Sequence, residues 1–179
     1  MSQLATHAAN AALMDAKVEP TDVDHLVWGN VLPVDPDGFY TGRVAALNVG
    51  MPEESCALQV NRACGSGTQA IITAAQQIMT GHSKIALAGG GENFSRGGFV
   101  NQKMRWGAIR GAQPFEDSVE WAYNDPFGHG LMGVTGENLA DDFQYLREDM
   151  DKWGEMSQQR AGVAMKSGFL AKQIAPIEV

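Results

Sequence analysis

The run Val60-Asn61-Arg62-Ala63-Cys64-Gly65-Ser66-Gly67-Thr68, leading into residues 69–80, constrains the fold of this chain more than any other stretch. It reads as the end of a strand, a tight glycine-rich turn and a helix entered through Ser66. Gly81 is a good stop for that helix, and residues 85–88 supply the next buried strand, closing on Gly89-Gly90-Gly91. Strand, helix and strand joined by short turns mean parallel pairing, a βαβ unit and a right-handed crossover. Cys64 sits on the turn. Glycines at 65 and 67 let backbone come close to a bound group with no Cβ in the way. Unpaired N–H groups at a helix start favour a thiolate over a thiol. Cys64 is therefore a candidate nucleophile for acyl transfer, set against the plainer reading of a structural cysteine in an ordinary strand-to-helix turn.

The rest of the chain fits an α/β protein. Leu4, Ala8, Ala11 and Ala12 recur at helical spacing beside Leu13, so residues 2–16 read as an amphipathic helix, broken by Pro20-Thr21-Asp22. Residues 25–31 (HLVWGNV) read as a buried strand and 33–38 (PVDPDG) as a loop of turn residues. A short helix is expected over 41–48, ended by Gly50 and Pro52, and residues 56–60 form the strand that delivers Cys64. Periodicity fades from 95 to 130, where Lys103, Arg105 and Arg110 lie in a long excursion of the kind that is functional or interfacial. Leu139, Phe143 and Leu146 mark a helix starting near Thr135. A second helix runs over 147–166 with Met150, Trp153, Val163 and Ala164 on one side, is stopped by Gly168, and gives way to an extended segment over 174–179.

Composition narrows the function. A chain of 179 residues with 44% hydrophobic and 19% charged residues fits one soluble globular domain. Its net charge of -8 argues against non-specific nucleic-acid binding, which leans on phosphate neutralisation, although a local basic patch can still serve an anionic ligand. Two cysteines, no apolar run long enough to span a bilayer and no export or transit signal fit a reducing, cytoplasmic setting without membrane attachment. Cys56 lies in an apolar strand with no glycine turn beside it and reads as a small buried hydrophobe, and a Cys56–Cys64 disulfide is not expected. None of His7, His25, His82 and His129 has metal-ligand spacing with the cysteines, so no metal is expected. His129, in Phe127-Gly128-His129-Gly130, is able to approach the site, though nothing in the spacing demands it. Gly89-Gly90-Gly91-Glu92-Asn93 fails the dinucleotide-binding pattern, since Phe94 stands at the third glycine position. The triple glycine reads instead as a place where backbone packs tightly below the reactive cysteine.

The blocks VNRACGSGTQAI, LAGGGENFS and LMGVTGENLA resemble the thiolase family and come in the family's order and approximate spacing. The resemblance implies a thiolase-like α/β fold and an enzyme that is an acyltransferase, exchanging acyl groups between coenzyme A thioesters. The reaction would be cleavage of a 3-oxoacyl-CoA by CoA, or the reverse condensation, through an acyl-thioester at Cys64. It implies acyl-CoA and CoA as partners, no tightly bound cofactor, and a homodimer or homotetramer. Leu131-Met132-Gly133 matches the segment lining the acyl-CoA pocket; Leu131 replaces a histidine of many short-chain biosynthetic members, which points to a degradative, broader-chain type. Met132 is the candidate pocket wall, a core methionine being the alternative. Lys103, Arg105 and Arg110 are candidates for coenzyme A phosphates, or for solvated or subunit-contact roles. Residues 95–134 match a loop region that covers the active site.

The family's Asn-Glu-Ala, Gly-His-Pro and Cys-x-Gly blocks, which supply the activating base and second cysteine, do not occur here, and the chain opens at the family's first helix. The resemblance therefore implies an N-terminal half over 1–179, incomplete at both ends and a poor catalyst alone. Two other readings stand beside it: a non-catalytic thiolase-like subunit binding acyl-CoA or a partner, and a β-ketoacyl synthase-like condensing enzyme. A cysteine protease is a distant third, since no histidine is tied to Cys64.

Overall fold

Leu26-Val27-Trp28 is an apolar run without polar alternation, the pattern of a strand covered on both faces. It forms β1 (His25–Gly29), buried at every position after the first. The computed structural model, which describes residues 1–178, pairs β1 in parallel with β2 (Cys56–Val60) on one side and β3 (Ala86–Gly90) on the other. His25 stands opposite Cys56 and Ala86, and Gly29 opposite Val60 and Gly90, so all three strands end level. The expected βαβ unit is parallel, but its two strands are not neighbours, because the order is β2-β1-β3. The physical reason is coverage: β1 is apolar toward both faces and takes the centre, leaving β2 and the Ala- and Gly-rich β3 at the edges.

Alternation along β1 sorts its side chains between two helical layers. Leu26 and Trp28 pack with Ala5, Ala9 and Leu13 of α1 (Ser2–Ala16) and with Ala45 and Ala46 of α2 (Thr41–Asn48). Val27 faces Ala70 and Ala74 of α3 (Ser66–Met79). Each fully buried Leu or Val contributes about 1.5–3 kcal/mol. The α1 stripe differs from the sequence reading: Ser2, Ala5, Ala9 and Leu13 are buried, whereas Leu4, Ala8 and Ala12 are exposed. In an alanine-rich helix nearly every face is apolar, so periodicity identifies the helix but not its buried side. α3 buries Ser66, Ala70 and Ala74 on one side and leaves Ile71, Ile72, Ile78 and Met79 exposed on the other.

The chain divides into two units, Met1–Ala122 and Tyr123–Val179. After β3 the first unit holds a short antiparallel pair, β4 (Phe99–Val100) with β5 (Glu116–Asp117), followed by α4 (Ser118–Tyr123) at the boundary. Little else in 95–122 is regular, as expected. The second unit opens with an antiparallel pair, β6 (Asn124–Asp125) and β7 (Gly130–Leu131), then α5 (Met132–Phe143) and α6 (Arg147–Lys166). α5 starts three residues before Thr135, where the sequence placed it; Gly133 and Gly136 dilute its helix propensity and no side chain caps it at Leu131. α6 has the expected bounds but buries nothing, and Trp153 is 69% exposed. Ile174 is extended, while Val179, the end of the expected extended segment, lies outside the described residues. Among the described residues no helix is long and apolar enough to cross a membrane.

Candidate active site at the strand ends

Three loops leave the sheet at one level, and the turn carrying Cys64 is the middle link in sequence. Gly29 makes their close approach possible: a Cβ there would lie 2.7 Å from both the carbonyl carbon and oxygen of Ser66, so the start of α3 rests directly on the end of β1. Gly90 is less crowded, with a Cβ position 3.0 Å from the Gly29 carbonyl oxygen and at ordinary contact, 3.5 Å, from Cα of Gly67. Gly89 makes room for the Trp28 indole. Of the triple glycine, only Gly90 lies against the turn as its sequence indicated; Gly89 and Gly91 make room for Trp28 and Met1 in the core shared with α1 and α2.

The turn is built by its own polar groups. The N–H of Gly65 donates to the Arg62 carbonyl at 3.0 Å, and the N–H of Ser66 to the Ala63 carbonyl at 3.0 Å. Ser66 is 5% exposed and its hydroxyl closes the loop, accepting from the Arg62 N–H at 2.8 Å and donating to the Ala63 carbonyl at 2.7 Å. Asn61 Oδ1 accepts from the Ala63 N–H at 3.0 Å. Ala63 is held at φ 45°, the left-handed region, where an L side chain meets the following carbonyl. Cys64 stands at the apex, exposed, as a free thiol two residues before the first residue of α3. Gly67 has open space around its Cβ position, so an approaching group meets no side chain there.

Sequence reasoning did not single out the residues that support this turn from behind. Asn61 Nδ2 donates to the Val31 carbonyl at 3.2 Å. The Glu92 carboxylate accepts from the backbone N–H groups of Val31 and Leu32, the latter at 3.2 Å, and from Asn30 Nδ2 at 2.9 Å. Asn30 is 3% exposed and also donates to the Gly91 carbonyl, while its Oδ1 is buried with no hydrogen-bond partner among the described residues. The signal available in the sequence was positional: Asn30 and Asn61 each follow an apolar strand directly, and Glu92 follows the triple glycine.

Cys56 departs from expectation. It is exposed, because β2 is an edge strand that leaves Cys56 and Leu58 exposed and Ala57, Gln59 and Val60 half-buried. An apolar run at a sheet edge overstates burial. Leu131 and Met132 lie in the second unit, at the end of β7 and the first position of α5, 44% and 47% exposed. The preceding turn is held by Asp125, which accepts from the N–H groups of Phe127 at 3.1 Å and His129 at 3.3 Å. His129 itself is exposed, its Nε2 3.9 Å from an Asp125 carboxylate oxygen. Lys103, Arg105 and Arg110 are exposed in the first unit.

Parallel strands whose carboxyl ends converge on an exposed cysteine at a helix start have the layout of α/β proteins that bind small molecules at the strand ends. The chain belongs to the thiolase family: the profile of the thiolase N-terminal domain matches residues 1–179. It is 41% identical over 176 residues to a Cupriavidus necator protein named Beta-ketothiolase BktB, covering 98% of this chain and 45% of that one. Its fold is similar to that of human mitochondrial 3-ketoacyl-CoA thiolase solved in complex with CoA, with a TM-score of 0.95 at 37% identity, and to the Bacillus anthracis acetyl-CoA acetyltransferase, with 0.92 at 34%. Each of these alignments covers 99% of this chain and 45% of the solved one. The chain thus spans a little under half the length of the relatives it matches.

Proposed function

We propose that this chain is the nucleophile-bearing half of an acyl-CoA thiolase, with Cys64 as the acyl-accepting group. The observation that carries the reading is the placement of Cys64. It is an exposed free thiol at the apex of a braced turn, at the start of α3 and at the carboxyl ends of three parallel strands. In the cleavage direction the Cys64 sulfur, having given up its proton, attacks the 3-oxo carbonyl of a 3-oxoacyl-CoA. A new sulfur–carbon bond forms, the bond between C2 and C3 breaks, and acetyl-CoA leaves with its α-carbon taking up a proton. The acyl group then passes from Cys64 to the sulfur of an incoming CoA, whose thiol proton returns to Cys64. The condensing direction runs these steps in reverse. A thioester intermediate suits both halves, since a thiolate attacks well and leaves well.

Relatives named Beta-ketothiolase and 3-ketoacyl-CoA thiolase, together with Leu131 in place of a histidine, support a degradative 3-oxoacyl-CoA thiolase. Leu131 and Met132 would wall the acyl pocket, residues 95–134 would cover the site, and the full-length enzyme would be a homodimer or homotetramer. The test is acetyl transfer to the protein from acetyl-CoA, read by intact mass. The wild-type chain and Cys56→Ser gain one acetyl group, and Cys64→Ala gains none. Acetylation that persists in Cys64→Ala overturns the assignment. A second reading, a non-catalytic subunit that binds acyl-CoA or a partner, draws support from the exposed Ile71, Ile72, Ile78 and Met79 on α3. Wild-type protein that binds acetyl-CoA without forming an acyl-cysteine would select it.

A further inference from the structure

We propose that Asn61 and Glu92 are positioning residues that hold Cys64 in its reactive geometry; this rests on the reading of Cys64 as the nucleophile. A non-glycine residue in the left-handed region persists only where its surroundings over-determine it, and Ala63, directly before Cys64, is such a residue. Its carbonyl is fixed by Ser66 within the turn. Its N–H is fixed by Asn61 Oδ1, at 3.0 Å. Asn61 is exposed on its own strand end, and the 3.2 Å hydrogen bond from its Nδ2 to the Val31 carbonyl ties it to the loop after β1.

That carbonyl is anchored in turn. Glu92 gathers the N–H groups of Val31 and Leu32 and the Asn30 amide on one carboxylate. A continuous series of hydrogen bonds therefore runs from the loop after β3, through the loop after β1, to the turn after β2 that carries the thiol. The level strand ends make it possible, since Gly29, Val60 and Gly90 are partners in register. Removing the Glu92 carboxylate leaves three donors without their acceptor and frees Val31. Removing Asn61 frees Ala63, and the sulfur then samples positions away from the attack line.

The test uses the chain in a Cys56→Ser background with two rates measured on Cys64. One is acetyl transfer from acetyl-CoA, which needs a set geometry; the other is alkylation by iodoacetamide, which does not. Asn61→Ala is expected to slow acetyl transfer about 100-fold, the scale of a misplaced reacting group, while alkylation stays near the wild-type rate. Asn61→Asp keeps the oxygen that accepts from Ala63 but loses the Nδ2 donor to Val31, and is expected to restore part of the transfer. Glu92→Gln keeps one acceptor oxygen but turns an NH₂ toward the donors, and falls about tenfold. Wild-type transfer rates in Asn61→Ala overturn the proposal. So does a common fall in both rates, or an equal drop in melting temperature for Asn61→Ala and Asn61→Asp, either of which assigns Asn61 to stability alone. Should Glu92 variants fail to fold, the Asn61 pair decides. No acetylation of the wild-type thiol overturns the nucleophile reading itself, and this proposal with it.

Discussion

α1 and α6 both carry apolar side chains, but to opposite effect. α1 is 15 residues long and alanine-rich, yet it places Ala5, Ala9 and Leu13 at 5% exposure or less in the core beside Leu26 and Trp28. α6 is 20 residues long, carries Met150, Trp153, Val163 and Met165, and buries none of them. What separates them is a surface to pack on. An apolar stripe contributes to stability only when it meets another apolar surface, and helices gain most of their stability that way. α6 is left with local pairs such as Arg147–Asp151 at 2.8 Å and Lys152–Asp149 at 3.6 Å. Exposed pairs of this kind are screened by solvent and contribute little.

The contrast can be broken first at β1. Leu26→Ala removes a fully buried side chain and is expected to cost about 2–5 kcal/mol in a urea titration followed by circular dichroism. Gly29→Ala comes next, at about 1–3 kcal/mol, because its Cβ meets Ser66 backbone that has no rotamer to yield. Gly67→Ala is its control: nothing lies within 4 Å of that Cβ, so stability holds or rises slightly as helix propensity improves. A Gly29→Ala chain as stable as Gly67→Ala would show that the start of α3 does not rest on β1.

A smaller effect is read by acid. Partial burial of Asp24 opposes its ionisation, but hydrogen bonds from the Ser83 hydroxyl and from the N–H of Lys84, the latter at 2.8 Å, outweigh it and hold the carboxyl below its ordinary 3.8. With the folded value depressed, this contribution is present above about pH 4 and is lost as pH falls through the folded value. Asp24→Asn is expected to lower stability at pH 7 and to flatten the acid side of the stability curve. An unchanged acid slope would remove Asp24 from the account. Least of all, Trp153→Ala is expected to stay within about 0.5 kcal/mol, as for an exposed side chain. Amide exchange sharpens the same point, with β1 slow and α6 fast; a Trp153→Ala loss as large as that of Leu26→Ala would end the comparison.

How much of this was legible in the sequence follows the same division. β1, α2, β2, α3 and α6 lie near their expected places, since continuous apolar runs and glycine stops are strong local signals. Family membership was legible from three blocks. The order β2-β1-β3 was not, because which strand takes the centre depends on coverage by helices distant in sequence. The burial of Cys56 was misread for the same reason, as an edge is a property of the sheet and not of the strand. The turn around Cys64 was readable from its glycines, but its support by Asn30, Asn61 and Glu92 was not: hydrogen bonds spanning 30 to 62 residues leave no periodic trace.

One property of the sheet bears on how the chain behaves at high concentration. Among the described residues β3, an uncharged Ala-Leu-Ala-Gly-Gly segment, pairs along one side only, and a row of backbone donors and acceptors on the other side is a template for an extended strand of matching length. It carries neither a lysine nor a proline to blunt that edge. An edge of this kind is where an added strand would dock, and the net charge of -8 does nothing to blunt it locally, since β3 itself is uncharged.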